Sequence, residues 1–313
     1  MPVNIDRQRL QQVSQLELFA REVVEGFIVG MHKSPFHGFS VEFAEHRQYN
    51  RGDSTRHIDW KLYGRTDKLY LKKYEEETNL RARIVIDTSS SMYYPEKDAL
   101  PGGGMNKLEF SVYSAAALIE LLRKQRDAVG LSFFDQELWK HTETKTSMAH
   151  HRYLYDELES LIQSDVEQTG RTTAAVESLH HIAEDTHRRS LVFIFSDMMD
   201  SEPERQESVF DALQHLRHNK HEVVLFHVNH KSTEMDFDFE NRPYRFIDPE
   251  SGEELRIQPN EVREAYRESA ESYYAELAQR CGQYRIDFVP SDITEGFNGV
   301  LTQYLIKRRI LTR

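Results

Sequence analysis

One carboxylate and three hydroxyls follow an apolar, β-branched run in the segment 84–92, which reads IVIDTSSSM. The spacing of Asp87, Ser89 and Ser91 allows alternate side chains of a tight loop to converge on one point. Hard cations such as Mg²⁺ are bound by oxygen atoms of this kind. The same residue types are also preferred at helix N-termini, where they cap backbone N–H groups. By itself the segment therefore predicts either a metal site or a cap.

Two further segments offer matching oxygen atoms. Thr172 lies in TGRTTAA, just ahead of a predicted helix, and Asp197 lies in FIFSDMMD, at the end of a strongly apolar predicted strand. Mg²⁺ prefers near-octahedral oxygen coordination and usually keeps several waters. Hydroxyls that bind directly and carboxylates that act through water would leave one coordination position open. An acidic side chain of a partner protein would fit that position.

The elements that must position these residues alternate between apolar strands and amphipathic helices from residue 83 onward. This alternation predicts an α/β fold with a doubly wound, mostly parallel sheet and helices on both faces. Ligands of such folds bind beyond the carboxyl ends of the strands, which is where the polar segments fall. The predicted strands are 83–87, 128–134, 137–142, 190–196, 222–228 and 284–289, and the predicted helices are 107–126, 150–163, 173–187, 204–219, 260–281 and 294–309.

The rest of the chain predicts two domains. An amphipathic helix over 7–31 and short alternating segments over 38–75 predict an N-terminal helix and a small β subdomain within residues 1–80. Residues 81–313 form the predicted α/β domain. Inside it, DPESGE lies between two short alternating runs, which predicts a β-hairpin insertion at about 233–259.

Composition narrows the class of protein. The chain has 313 residues, 39% of them hydrophobic, and a net charge of −12, which argues against nucleic acid as a partner. It has one cysteine, Cys281, and no apolar N-terminal signal. No apolar run reaches the roughly 18 residues of a membrane-spanning helix. We therefore expect a cytoplasmic protein without direct membrane insertion.

These segments resemble a known family. IVIDTSSSM, TGRTTAA and IFSDMMD resemble the metal-ion-dependent adhesion site of von Willebrand factor A domains, and the segment 38–92 resembles the family called domain of unknown function 58. Bacterial members of that family are often encoded beside MoxR-type AAA+ ATPases. The resemblance implies a Mg²⁺ or Mn²⁺ site with Ser89, Ser91 and Thr172 as direct ligands and Asp87 and Asp197 as ligands through water.

The chain departs from the family pattern immediately before the predicted threonine ligand. Arg171 replaces one of the two small residues usual there, so Arg171 would bring a positive charge near the metal. Neighbouring Thr173 stays an alternative ligand for the same reason.

The first functional hypothesis is a Mg²⁺-dependent protein-interaction module that is not an enzyme. Its partner would supply an acidic residue and would be a MoxR-type AAA+ ATPase or its client, in the assembly or maturation of other proteins. A metal-dependent hydrolase at the same edge and a metal-free scaffold with simple caps are the alternatives. An aspartyl-phosphate enzyme wants a second acid two residues after Asp87, where this chain has Ser89, and no G-x-S-x-G motif is present.

Overall fold

The computed structural model describes residues 15–30, 43–48, 59–74, 80–96, 104–163, 175–198 and 203–311. The helices in this part of the chain are α1 (Gln15–Gly30), α2 (Trp60–Thr66), α3 (Lys107–Lys124), α4 (Met148–Gln163), α5 (Ala175–Asp185), α6 (Pro203–His218), α7 (Pro259–Gln283) and α8 (Asn298–Leu311). The strands are β1 (Phe43–Gln48), β2 (Tyr70–Tyr74), β3 (Arg81–Asp87), β4 (Ala128–Phe134), β5 (Leu138–His141), β6 (Leu191–Ser196), β7 (Glu222–Asn229), β8 (Tyr244–Ile247), β9 (Glu254–Ile257) and β10 (Asp287–Asp292).

Six of these strands form the central sheet, in the order β10-β7-β6-β3-β4-β5. All neighbours are parallel except β4 and β5, which are antiparallel. The predicted doubly wound α/β architecture is confirmed, and it is consistent with a von Willebrand A or Rossmann-like fold. Strand order reverses at β3, because the chain first adds β4 on one side of it and later β6 on the other. Ligands of open α/β sheets bind at such a switch point.

The central strands are buried on both faces, which explains their almost continuous apolar sequences. In β3, Ala82, Ile84 and Ile86 point into one core and Val85 points into the other, because successive side chains alternate across a strand. One core is closed by residues of α1, α3, α4 and α8. The other is closed by residues of α5, α6 and α7.

The N-terminal helix packs on the main sheet domain. Leu16, Ala20 and Val24 of α1 lie at helical spacing and are buried in the same core as α3. Residues 1–14, the first part of the predicted helix, lie outside the described residues. The boundary between domains 1–80 and 81–313 stays a prediction.

Two small antiparallel sheets accompany the central one. β1 pairs with β2 in the segment where a small β element is predicted, and α2 lies between them in the chain. Asp59 begins α2 by accepting hydrogen bonds from the backbone N–H groups of Lys61 and Leu62, at 3.0 and 3.1 Å. β8 pairs with β9 as a hairpin inside the predicted insertion.

The last strand begins and ends three residues later than the predicted range 284–289. β10 runs along β7, with Pro290 opposite His227 in the register. A proline has no backbone N–H to donate to a neighbouring strand, so Pro290 is an unfavourable residue for a strand interior. Because β10 is an edge strand, it tolerates a proline that a central strand would exclude.

Candidate functional site

Asp87 is the last residue of β3 and is fully buried. The backbone N–H of Ser89 donates to one carboxylate oxygen at 2.9 Å, and the hydroxyl of Ser196 donates to the other at 2.7 Å. Ser196 ends the neighbouring strand β6 and precedes Asp197. Both oxygens of Asp87 are therefore fixed by groups at the carboxyl ends of two adjacent parallel strands.

The hydroxyls of Ser89 and Ser91 lie side by side, with their Oγ atoms 3.2 Å apart. They are brought together by a short 3₁₀ turn over Ser90–Tyr93. Two neighbouring ligands of an octahedral Mg²⁺, each about 2.1 Å from the ion, would lie about 3.0 Å apart. The spacing of the two hydroxyls is thus close to that of adjacent ligands. Ser91 is partly exposed, whereas Ser89 is buried, so the site opens to solvent on the Ser91 side.

Thr88 anchors this loop to the neighbouring strand. Its backbone N–H and its hydroxyl both donate to the carbonyl oxygen of Phe134, at 2.7 and 2.9 Å. The indole N–H of Trp139 in turn donates to the Thr88 hydroxyl at 3.0 Å. Because Trp139 is 40% exposed, an aromatic ring forms part of the rim beside the two serines.

Asp197 forms an ion pair with Lys107, the first residue of α3. The Lys107 ammonium lies 2.8 Å from one carboxylate oxygen of Asp197 and 2.6 Å from one of Glu234. The Lys107 side chain is only 1% exposed. Asn106 and Glu109 form a capping box that starts α3 at this point, which directs Lys107 toward the site.

Two members of this site, Lys107 and Glu234, are not among the residues predicted from the sequence. The order of strands and helices in the sequence could have placed both residues at this edge. The helix that follows β3 must begin at the carboxyl edge of the sheet, and Glu234 belongs to a short π-helical turn over Lys231–Met235 that follows β7 at the same edge. The backbone N–H of His230 holds Glu234 in place at 2.7 Å.

The three carboxylates and one ammonium leave the cluster with more negative than positive charge. Burial, together with the nearby charge of Asp197, raises the pKa of Asp87 to about 7. Burial alone would lower the pKa of Lys107, but the charges of Asp197 and Glu234 outweigh it and raise that pKa. His227, also buried here, has its pKa lowered to about 4 by burial and is neutral near pH 7. A cation bound beside Asp87 would offset the excess negative charge.

These residues fit a small divalent cation in spacing, in ligand type and in charge. Among the described residues, no group of three or more His, Cys, Asp or Glu side chains is arranged to hold a metal ion. The candidate direct ligands remain the neutral hydroxyls of Ser89 and Ser91. Of the five predicted site residues, the structure brings Asp87, Ser89, Ser91 and Asp197 to one edge of the sheet. Thr172, with Arg171 and Thr173, lies outside the described residues.

Comparison with known proteins identifies the family to which this chain is similar. A family model described as "Protein of unknown function DUF58" matches residues 45–276. Uncharacterised proteins of Mycobacterium bovis and Mycobacterium tuberculosis are 22% identical over 184 residues, which is 59% of this chain and 55% of each relative. The matched region thus spans about half the length of these relatives.

Solved structures with a similar fold include two from Bacteroides. BatB of Bacteroides thetaiotaomicron is 13% identical, with a TM-score of 0.39, over 66% of this chain and 98% of that one. An aerotolerance-related membrane protein of Bacteroides fragilis is 14% identical, with a TM-score of 0.44, over 75% of this chain and 100% of that one. Likeness at this level carries no argument about function.

The predicted cytoplasmic location is contradicted by these names. The Bacteroides fragilis structure is named as a membrane protein, and a similar structure from Vibrio fischeri, 14% identical with a TM-score of 0.23 over 73% of this chain and 96% of that one, is named as membrane-spanning. A single cysteine and the lack of a long apolar run do not distinguish a cytoplasmic protein from one that works at a membrane. In the described ranges, no helix has both the length and the apolar character to cross a bilayer.

Proposed function

Because this chain belongs to the DUF58 family, whose model matches residues 45–276, and has paired hydroxyls beside buried carboxylates, we propose that it is a Mg²⁺-dependent protein-interaction module. The observation that carries the proposal is the pair of Ser89 and Ser91 hydroxyls, 3.2 Å apart and next to the fully buried Asp87. The site would be a metal-ion-dependent adhesion site of the von Willebrand A type.

Each residue of the site has a distinct role in this proposal. Ser89 and Ser91 would bind the ion through neutral hydroxyls, with Mn²⁺ as an alternative ion. Asp87 and Asp197 would orient bound water and offset the positive charge. When bound, Mg²⁺ supplies a coordination position for an anionic oxygen of the partner. Because both direct serine ligands are neutral, that position would favour an Asp or Glu side chain.

The hydrolase alternative has less support from the same geometry. Both oxygens of Asp87 accept hydrogen bonds, which lowers the nucleophilicity of the carboxylate. The hydroxyl of Ser89 lies beside Ser91, and none of the histidine contacts seen in the described residues involves either serine. A simple cap would account for the Ser89 N–H bond to Asp87, but it would not account for the gathering of Asp197, Lys107 and Glu234 at the same edge.

A MoxR-type AAA+ ATPase, or a client of that ATPase, is the proposed partner. Its support is the family resemblance, because bacterial members are often encoded beside such ATPases. The exposed ring of Trp139 at the rim would allow the partner to place an apolar group beside its acidic one. Association would then depend on both the metal and a small apolar contact.

Titration calorimetry with Mg²⁺ and Mn²⁺ tests the metal site directly. We expect binding heat for the unaltered protein and no binding heat for the double variant Ser89→Ala/Ser91→Ala. Ser160→Ala is the matched control, because Ser160 is an exposed serine on α4, and it should bind as the unaltered protein does. Equal heats for the double variant and the control would exclude these hydroxyls as ligands.

A pull-down with a purified MoxR-type ATPase from the same organism tests the module. We expect capture in Mg²⁺, none in EDTA and none with the double serine variant. The same preparations should not hydrolyse p-nitrophenyl phosphate. Mg²⁺-dependent hydrolysis that the double variant loses would support the hydrolase instead, and capture that is unchanged in EDTA would exclude the metal edge as the interface.

A further inference from the structure

The amino ends of the parallel strands carry a row of basic residues, at the opposite end of the sheet from the candidate metal site. β3 begins at Arg81. The turns that lead into β4, β6, β7 and β10 each place a basic residue two positions before the strand, namely Arg126, Arg189, Lys220 and Arg285. All five are exposed.

These four turn residues have an unusual backbone conformation. Their φ angles are 58°, 63°, 65° and 56°, in the left-handed region that favours glycine. A non-glycine residue there costs roughly 1–2 kcal/mol. A cation near a helix C-terminus recovers about 0.3–1 kcal/mol from the helix dipole. Capping alone would thus favour glycine at these turns.

Three of the five basic residues line one cleft. The cleft has a volume of about 800 Å³ and is lined by Arg81, Arg126 and Arg189 together with Lys145, His187 and Arg188. Thr144, Thr146 and Ser147 add hydroxyls, and no carboxylate is among the described residues that line it. Lys145 is paired with Glu143 at 2.7 Å, and the arginines give the cleft a positive charge in a chain whose net charge is −12.

We propose that the cleft binds a compact anion with two or more phosphate groups. Arginine predominates among its cations, and a guanidinium matches two phosphate oxygens at once. The described lining includes no Phe, Tyr or Trp ring, and Leu80 and Ala128 are its apolar residues, so it offers no large stacking surface for a base and no deep pocket for an apolar side chain. The phosphates themselves are what the cleft recognises, whether in a soluble molecule or in a lipid headgroup.

The site is separate from the candidate metal site. The strands between the two edges are six to eight residues long, which corresponds to about 20–26 Å. Phosphate binding at the cleft therefore requires no divalent ion and no intact serine pair. Because its cations are exposed, the binding weakens as salt rises.

Sodium tripolyphosphate, titrated into the full chain in EDTA, is the probe for the soluble case. The test variant is Arg126→Gly/Arg189→Gly, which removes two cleft charges and places glycine where the backbone favours it, so the fold is retained. We expect the dissociation constant to rise roughly tenfold or more, as for the loss of charge-assisted hydrogen bonds. Arg285→Gly removes the same charge from the same conformation outside the cleft and should bind almost as the unaltered protein does.

Co-sedimentation with phosphatidylglycerol vesicles, with phosphatidylcholine vesicles as the neutral comparison, tests the lipid case. Tripolyphosphate binding without vesicle binding assigns the site to a soluble anion. Vesicle binding that the double variant loses and Arg285→Gly keeps assigns it to a headgroup. Two results overturn the proposal: neither probe binds the unaltered protein, or both glycine variants bind equally well.

Discussion

Lys107 and Arg189 lie at opposite ends of the same sheet, and their surroundings differ in almost every respect. Lys107, at the carboxyl end, is buried and contacts two carboxylates. Arg189, at the amino end, is exposed and lines a cleft with other cations. A buried charge is tolerated only with its counter-charges, whereas an exposed cation needs none.

This difference shows how each end should be tested. At the carboxyl edge, the charges are part of the folded structure, so we expect substitutions there to change stability and the proposed metal binding together. At the amino edge, the charges are solvated, so substitutions there change ligand binding and leave stability almost intact.

Lys107→Met has the largest expected effect. Removal of one partner from a buried ion pair typically costs about 3–5 kcal/mol, because the remaining charge is left buried without compensation. Here Asp197 and Glu234 would lose their shared cation. We expect a loss of that size in urea unfolding. Mg²⁺ should restore more stability to this variant than to the unaltered protein, because a divalent ion replaces part of the missing positive charge.

Arg189→Gly is the comparison for that experiment at the other edge. It also removes one positive charge, but from an exposed residue in a left-handed conformation, so its unfolding free energy should change by less than about 1 kcal/mol. Similar losses of stability for the two variants would contradict the contrast between the two edges.

The effect of Asp87→Asn on the free energy of unfolding should depend on pH. The folded pKa of Asp87 is raised to about 7 from 3.8, so the native state holds a proton that the unfolded state releases between these values. Stability from this group is therefore present at low pH and is lost as pH rises through about 7, by at most about 1.4 kcal/mol per pH unit. Asparagine does not titrate. In EDTA, the stability of the variant relative to the unaltered protein should therefore rise as pH rises from 5 to 8.

Urea unfolding at each pH measures this difference. The comparison with asparagine is needed because half-buried His141 and buried His151 and His227, whose pKa values are lowered to about 4 by desolvation, give the opposite slope below their unfolded value of 6.5. In Mg²⁺ at pH 8 the order should invert, since only the aspartate offsets the charge of a bound ion. Parallel stability curves for the two proteins in EDTA would mean that Asp87 titrates as an ordinary carboxyl.

Trp139 gives the smallest expected effect and a direct optical signal. The chain has two tryptophans, so Trp60→Phe leaves Trp139 alone. Because its indole donates to Thr88, next to Ser89, Mg²⁺ should change its fluorescence and EDTA should reverse the change. The reciprocal variant Trp139→Phe, which keeps Trp60, should give no response and should lose about 1 kcal/mol or less of stability. Equal responses from both tryptophans would indicate a non-specific effect of the ion.

The sequence by itself determined the architecture and most of the candidate site. Strand-helix alternation predicted the parallel sheet, and the rule that ligands lie beyond its carboxyl ends selected Asp87, Ser89, Ser91 and Asp197. These inferences succeed because periodicity and residue type are local properties, and parallel strands bring their carboxyl ends to one edge. The roles of these residues in metal binding stay a prediction.

Only the tertiary structure decided which charged groups meet. Lys107 pairs with Asp197, 90 residues later, and with Glu234, 127 residues later, so no local pattern connects them. The basic row is equally non-local, because its members lie in separate turns that the order of the strands aligns. Local sequence sets each residue's conformation and exposure, whereas a Coulomb interaction depends on distance in space, and strand order sets that distance.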